Sequence, residues 1–204
     1  MISLANRFLF VHIPKTGGNS VQDALRAYAD DEIITPHKHQ DGIERFELSN
    51  KSYGTKKHAT FAEYSLAVGR EELASLFKFS TIRNPWDRMV SFYFSPHRGS
   101  IKWDREGFIQ LVREQPIART YLCTDADKAE PLDCNFDLIM KFESLEDDFF
   151  DAARQLSIDT YTLPRRNVST HQHYSYYYDD EIKDLVSAKF SEEIDFWNYE
   201  FEAD

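Results

Sequence analysis

The feature of the sequence that most constrains the fold is an apolar run that stops abruptly at a Lys-Thr-Gly-Gly turn. Residues 8–13 read Phe-Leu-Phe-Val-His-Ile, and Pro14 and the turn at residues 15–18 follow directly. A short, nearly continuous apolar run is typical of a strand buried in a parallel sheet. Glycine allows a sharp turn after the strand, and the residues from Ser20 onward favour a helix. The segment therefore predicts a strand, a tight loop and a helix.

The loop between this strand and helix has the composition of a phosphate cradle. Its glycines allow backbone N–H groups to converge on one anion, and the helix directs the positive end of its dipole at the same place. The residues predicted to surround the anion, with the hydroxyls of the threonine and serine included, are Lys15, Thr16, Gly17, Gly18, Asn19 and Ser20. A P-loop for nucleoside triphosphates has its lysine after the glycines, whereas here the lysine comes first.

A second strand, turn and helix is predicted over residues 77–93. Pro85 suits the first turn of the helix, where its missing N–H costs nothing. Arg83 would stand at the carboxyl end of the strand and Ser91 further along the helix, so both can face the crevice where open parallel sheets bind ligands. In the alternative interpretation, Arg83 only pairs with Asp87 and Ser91 only contacts a helix neighbour.

Together these two segments resemble the sulfotransferase family. The run Pro-Lys-Thr-Gly-Gly-Asn-Ser at residues 14–20 is similar to the family's 5′-phosphosulfate loop, in particular that of the carbohydrate branch with its heparan-sulfate and chondroitin enzymes. The resemblance implies that Arg83 and Ser91 hold the 3′-phosphate of the donor 3′-phosphoadenosine 5′-phosphosulfate (PAPS). It also implies that this donor is the ligand of the loop that contains Lys15.

Three weaker similarities extend the resemblance over most of the chain. Residues 137–149 resemble the family's strand and Glu-x-Leu helix start, residues 163–169 its Leu-Pro-x-x-Asn loop, and residues 177–201 its Tyr-rich closing segment. The resemblance makes Arg166 and Asn167 candidates to complete the donor pocket, although surface solubility explains Arg166 equally well. The stretches without a clear match, residues 30–56 and 97–135, are where acceptor specificity is expected to vary.

The pattern of elements predicts an α/β, P-loop-like three-layer fold, with a central parallel sheet flanked by helices. We expect one domain over residues 1–204, because a chain of this length with 42% hydrophobic residues can bury a single core. Strands are predicted at residues 7–13, 77–82 and 137–142. The predicted helices span residues 18–29, 60–67, 70–76, 85–95, 104–114 and 143–156, and more than one helix is predicted from residue 180 to 197.

The resemblance implies sulfuryl transfer, and this reaction requires side chains in two roles. Lys15 is the candidate to stabilise the negative charge that develops on the leaving nucleotide, and no metal is required for this. A group with a pKa near neutrality must take the proton of the acceptor hydroxyl, which favours histidine. We choose His58, because it lies between the two phosphate loops in a His-x-x-x-x-Glu setting similar to that of the family's base. His171 and His173 are the reserve candidates, and His12 is expected to be structural.

The net charge and the composition limit the classes of partner that this protein is expected to bind. A net charge of −11 argues against a nucleic acid, because binding to phosphates depends on basic surface. Family analogy favours a hydroxyl on a saccharide or glycan as the acceptor, and a small alcohol, lipid or phenol stays open. We expect no membrane span and a cytoplasmic protein, because the first apolar run is needed by the fold and Cys123 and Cys134 form no disulfide pattern. The sequence does not determine the oligomeric state.

Two other functions compete with sulfuryl transfer. A P-loop kinase or nucleotide hydrolase needs an acidic residue for Mg²⁺ at the end of an apolar strand, but the predicted strands lead into Pro14, Arg83 and Lys141. An inactive binding protein of the same fold is the second alternative. Retention of Lys15, His58, Arg83 and Ser91 together argues against it, because a decayed site is expected to have lost one of them.

Overall fold

The computed structural model describes residues 1–95, 101–160, 162–166, 168–169 and 171–203. Its strands are β1 (Ile2–Ser3), β2 (Phe8–Val11), β3 (Glu32–Ile34), β4 (Glu47–Ser49), β5 (Phe77–Ile82) and β6 (Leu138–Lys141). Within these residues, four strands form a central sheet in the order β1-β2-β5-β6. Strands β2, β5 and β6 are parallel, and β1 pairs antiparallel with β2. The predicted α/β class with a central, mostly parallel sheet is confirmed.

Helices follow the strands in the predicted alternation. In chain order they are α1 (Gly18–Leu25), α2 (Phe61–Ala67), α3 (Arg70–Ala74), α4 (Pro85–Tyr93), α5 (Arg105–Glu114), α6 (Ala118–Leu122), α7 (Leu145–Gln155), α8 (Asp180–Lys189) and α9 (Ser191–Trp197). Most lie within a few residues of their predicted bounds. Helix α1 ends at Leu25 rather than at residue 29, and the helices predicted from residue 180 to 197 are α8 and α9.

Alternating side chains of β2 divide the core into two layers. Phe8 and Phe10 pack with Leu25 of α1 and Phe149 of α7 on one face of the sheet. On the other face, Leu9 and Val11 join a cluster that contains residues of α2 and α3. Because both faces are covered, every residue of β2 is buried, which explains why its sequence is apolar without alternation.

The stretch at residues 30–56 contains structure that the sequence does not signal. Strands β3 and β4 form a separate antiparallel hairpin there, where only a polar connection is predicted. Phe46 and Leu48 are its buried residues and join the same cluster as the first face of the sheet. The hairpin thereby carries Glu47 and the following chain toward the carboxyl end of β2, where the candidate site lies.

Candidate active site

A cleft of about 420 Å³ opens at the carboxyl ends of β2 and β5. Ligands of open parallel sheets bind at this edge, where the loops after neighbouring strands meet. The lining includes eight of the eleven predicted site residues: Lys15, Gly17, Gly18, Asn19, His58, Arg83, Ser91 and Arg166. Segments far apart in sequence therefore converge on one space, as the two-loop interpretation requires.

The backbone of the loop after β2 is held in a left-handed geometry. Lys15 has φ 69° and Gly17 has φ 85°. A left-handed lysine is uncommon and costs conformational energy, which is a frequent property of functional loops. Among the described residues, the backbone N–H groups of residues 15–19 make no hydrogen bond. They are available to an anion at the start of α1.

The hydroxyls of Thr16 and Ser20 do not line the cleft, in contrast to the prediction that both converge on the anion. The Thr16 hydroxyl donates to the carbonyl of Ile13 at 2.7 Å and contacts the Thr81 hydroxyl at 2.6 Å. Thr16 is fully buried, so this side chain ties the loop to β5. The Ser20 hydroxyl accepts from the backbone N–H of Arg166 at 3.2 Å and ties the loop to the C-terminal segment. Both residues shape the loop through these contacts.

Lys15 brings an unpaired positive charge into the cleft. Its Nζ lies 3.5 Å from the Ser95 hydroxyl, and no carboxylate of the described residues is within ion-pair distance. Burial, together with the charges of Arg83 and Lys57, lowers the pKa of Lys15 to about 8. Burial also lowers the pKa of Lys57 to about 8. Such a site favours an anionic ligand, because the ligand charge relieves the repulsion between neighbouring cations.

Arg83 connects the two loops. Its Nη1 donates to the Lys15 carbonyl at 3.2 Å, and its Nε donates to Asp87 at 2.7 Å. The guanidinium carbon lies 3.9 Å from the centre of the Phe142 ring. The pairing with Asp87 considered from the sequence is therefore present, yet Arg83 also lines the cleft. A guanidinium has five N–H donors, so the terminal nitrogens retain donors for an anion.

Ser91 and the C-terminal segment close the cleft on the side of Arg83. The Ser91 hydroxyl lies 3.4 Å from the Ser169 hydroxyl, and both residues line the cleft. Arg166 also lines it, but Asp23 at 2.8 Å and Glu44 at 3.1 Å hold its guanidinium. These carboxylates neutralise much of the charge that Arg166 was predicted to offer the donor. Asn167 lies outside the described residues.

His58 is held in one tautomer. Its Nδ1 lies 3.0 Å from the carbonyl oxygen of His12. Because a carbonyl can only accept, Nδ1 carries the proton and Nε2 carries the lone pair. Nε2 makes no hydrogen bond to the described part of the chain. His58 can therefore accept a proton at Nε2 without changing its contact with the backbone.

The surroundings of His58 keep it neutral at pH 7. Part of the ring is exposed toward the cleft, but the protein around it displaces water, and this desolvation lowers the pKa of His58 to about 4. The hydrogen bond to His12 opposes this effect, and the charge of Lys57 adds to it. In the ligand-free protein the pKa of His58 therefore lies below the near-neutral value that suits a general base. An anion bound beside Lys57 is expected to raise the pKa of His58 again.

His12 belongs to the site more closely than the sequence suggested. Its ring centre lies 4.4 Å from that of His58, and its Nδ1 lies 3.1 Å from Oε1 of Gln22. The Gln22 amide donates to the Lys57 carbonyl at 3.3 Å. One buried side chain of α1 thus fixes both the His12 ring and the chain that leads into His58. No sequence pattern signals the role of Gln22, because its partners are distant in the chain.

The remaining candidate histidines are placed differently. His171 lines the cleft beside Ser169, and its ring stacks on Phe94 at 5.8 Å. His173 does not line the cleft and instead accepts from the N–H of Ser175 at the start of a 3₁₀ helix. Glu63 is the glutamate of the His-x-x-x-x-Glu pattern that begins at His58. Its carboxylate accepts from the backbone N–H of Thr60 and caps α2. It therefore stabilises the helix that follows His58.

Gly18 is expected to be essential for the packing of the site. A Cβ at this position would lie 2.1 Å from Cδ2 of His12, whose ring is buried and cannot move away. We expect Gly18→Ala to lower the free energy of unfolding by about 1–3 kcal/mol, as overpacking does elsewhere. Thermal melting measures this loss. A melting temperature of Gly18→Ala equal to that of the wild type would contradict the steric role of Gly18.

The described part of the chain contains neither a cluster of metal-ligating side chains nor a membrane-spanning helix. Within residues 1–95, 101–160 and the other described ranges, no group of three or more His, Cys, Asp and Glu side chains is placed to hold a metal ion. The same part of the chain contains no helix that is long and apolar enough to span a bilayer. Cys123 is buried and Cys134 is exposed, and neither forms a disulfide.

Comparisons with known proteins give a family match over nearly the whole chain. A family model described as the sulfotransferase family matches residues 1–200. Among solved structures, mouse sulfotransferase SULT7A1 complexed with PAP is 14% identical, with a TM-score of 0.42 over 98% of this chain and 68% of that chain. No curated protein matches the sequence. The range of the family match includes both loops of the cleft, with Lys15 and Arg83.

Proposed function

This chain belongs to the sulfotransferase family, and on that basis we propose that it transfers a sulfuryl group from PAPS to a hydroxyl of a saccharide or glycan. The observation that carries the proposal is the meeting of two basic loops in one cleft, where Arg83 donates to the carbonyl of Lys15. A donor with phosphate groups at both ends requires two anion sites in one space. The cleft supplies one at the N-terminus of α1 and another beside Arg83 and Ser91.

The proposed donor fits the residues that are present. The loop backbone offers unpaired N–H groups to the 5′ end, and Lys15 supplies the positive charge there. Arg83 and Ser91 would bind the 3′-phosphate, which distinguishes PAPS from ATP. This assignment agrees with the family resemblance of both loops.

Each step of the proposed reaction has a residue to perform it. His58 accepts the proton of the acceptor hydroxyl at Nε2 as the new bond between oxygen and sulfur forms. The bond between sulfur and the bridging oxygen breaks, and 3′-phosphoadenosine 5′-phosphate (PAP) leaves with the electron pair. Lys15 and the loop N–H groups stabilise the charge that grows on that oxygen. The proton bound by His58 then passes to solvent.

The residues of the cleft also argue against the two competing functions, a kinase or nucleotide hydrolase and an inactive binding protein. Strands β2, β5 and β6 are followed by His12, Arg83 and Phe142, and none of these can bind Mg²⁺ as a kinase requires. An inactive binding protein would not need a base, whereas the contact with the His12 carbonyl holds His58 in the tautomer that can accept a proton at Nε2. Lys15 and His58 line the same cleft, which favours catalysis over binding alone.

Donor binding can be tested without knowledge of the acceptor. At about 100 times its dissociation constant, PAP is expected to stabilise the protein by roughly 2.7 kcal/mol. For a domain of this size, the melting temperature should rise by roughly 5–11 °C. A chelator should leave this shift unchanged. The control ligand is adenosine 5′-phosphate, which lacks the 3′-phosphate and should give a smaller shift. A shift with ATP and Mg²⁺ but none with PAP would favour the kinase.

A further inference from the structure

A second groove shares His58 with the active-site cleft. It encloses about 700 Å³ between the chain that follows β4 and the outer side of α2. Its lining consists of Glu47, Tyr53, Gly54, Thr55, Lys56, Lys57, His58, Ala59, Glu63, Leu66 and Ala67. Glu47, Lys57 and His58 also line the cleft, so the two spaces are adjacent. The proposed base therefore lies where the groove and the cleft meet.

This position matters because a general base must contact the hydroxyl that it deprotonates. In the proposed reaction the donor fills the cleft from Arg83 to Lys15, and the acceptor must approach the sulfur from the side opposite the leaving nucleotide. His58 is the histidine that the cleft and the groove share. An acceptor that lies in the groove can thus place a hydroxyl at His58 without displacing the donor.

The outer wall of the groove is apolar. Helix α2 turns Phe61 and Tyr64 into the core, which leaves Leu66 on the outer side with 88% of its surface exposed. Ala67 next to it is also exposed, and the half-buried Tyr53 contributes further apolar surface to the lining. Covering such a surface with an apolar group of a ligand is favourable, by about 25 cal/mol per Å².

The charges of the groove balance. Its lining contains two carboxylates, Glu47 and Glu63, and two ammonium groups, Lys56 and Lys57. Glu63 is already engaged in capping α2, and the Lys57 ammonium donates to the carbonyl of Phe46 at 2.7 Å. A polyanionic chain needs an excess of positive charge along its path, and the groove lacks it. The net charge of −11 for the whole chain also disfavours the binding of a polyanionic chain.

We propose that this groove is the acceptor site and that it takes an uncharged hydroxyl compound with an apolar group, such as a neutral sugar linked to an aromatic ring. The proposal rests on the proposed function, because it uses His58 as the base. The apolar group would lie against Leu66, and the reacting hydroxyl would lie at His58. Polyanionic glycans are excluded as preferred acceptors by the balanced charges of the lining.

Matched probes test the proposal directly. p-Nitrophenyl β-glucoside and p-nitrophenyl β-glucuronide differ at C6 alone, which is a hydroxymethyl group in the first and a carboxylate in the second, and free glucose lacks the aromatic ring. Their binding to the complex of the protein with PAP can be followed by saturation-transfer NMR and titration calorimetry. We expect the aryl glucoside to bind about ten-fold or more tightly than the other two probes, because only it is both neutral and apolar on one side. Sulfate gain by mass spectrometry, with PAPS as donor, should follow the same order.

A substitution at the apolar wall of the groove provides a second test of the proposed acceptor site. Leu66→Gln should weaken binding of the aryl glucoside by about ten-fold and leave glucose unchanged. Leu4→Gln is the matched control, because Leu4 is also an exposed leucine but lies in the turn after β1. The thermal shift with PAP should be the same in both variants and the wild type.

The outcomes separate the two proposals. If PAP fails to stabilise the wild type, the proposed function is wrong. If PAP stabilises it but the aryl glucoside does not bind, or the glucuronide binds more tightly, the acceptor class is wrong while the donor site stands. Equal binding of the aryl glucoside to Leu66→Gln and Leu4→Gln would also overturn the groove assignment.

Discussion

Replacing His58 with alanine is expected to lower kcat by about 10²–10⁴, the usual contribution of a positioned general base. The affinity for PAP should stay close to that of the wild type, because the ring binds a backbone carbonyl and contributes no charge at pH 7. Steady-state kinetics with PAPS and thermal shifts with PAP measure the two quantities. A loss confined to kcat is the signature of a residue that acts on the reacting atoms.

The other histidines supply the controls for this substitution. His173→Ala should retain kcat, because His173 does not line the cleft. His171→Ala tests the reserve candidate, since His171 lines the cleft beside Ser169. If His171→Ala loses activity by 10²-fold or more while His58→Ala remains active, the base has been misassigned. The role of His58 would then be limited to its contact with His12.

If His58 is the general base, the direction in which activity changes with pH follows from its protonation. The reactive form of His58 is neutral, so activity is present above its pKa and is lost as the pH falls through it. The pKa of His58 is about 4 in the ligand-free protein, because the surrounding protein excludes water. A bound anionic donor raises it. We therefore expect the acidic limb of kcat to lie at higher pH than that of kcat/KM, and neither limb should remain in His58→Ala.

Lys15→Ala is expected to lower kcat by about 10²–10³, as the loss of one donor to a developing oxyanion does in other enzymes. The lysine contacts no carboxylate of the described residues, so its charge is available to the leaving oxygen. Its pKa of about 8 means that the free protein loses this charge as the pH rises through that value. Affinity for PAP should accordingly weaken above pH 8 in the wild type. This weakening should be smaller in Lys15→Ala.

Arg83→Ala provides the contrast to Lys15→Ala. Arg83 lies beside Ser91 at the proposed 3′-phosphate end, so its loss should mainly weaken nucleotide binding and reduce the preference for PAP over adenosine 5′-phosphate. Lys128→Ala is the surface control, because Lys128 is exposed and contacts Asp125 away from the cleft. Equal losses of affinity in Lys15→Ala and Arg83→Ala, with kcat unchanged in both, would contradict this division of roles.

The local parts of the site could be predicted from the sequence. Strand β2, the turn at Lys15 and helix α1 depend on apolar runs, glycine and helix propensity, which are properties of neighbouring residues. The same holds for β5, Arg83 and α4, where a proline marks the first turn of the helix. Parallel pairing of β2 and β5 then brings both loops to one edge of the sheet. The meeting of Lys15 and Arg83 in one cleft follows from these elements.

The tertiary structure decided which atoms face the cleft and in which chemical state. No local pattern shows that the Thr16 hydroxyl turns to Thr81, that carboxylates hold Arg166, or that a hairpin forms within residues 30–56. The tautomer and lowered pKa of His58 depend on the carbonyl of His12 and on water excluded by distant segments. Hydrogen bonds and desolvation act between groups that are close in space. Sequence spacing therefore identified candidate residues that meet in one cleft, and only the packing of the chain set their protonation and their access to a ligand.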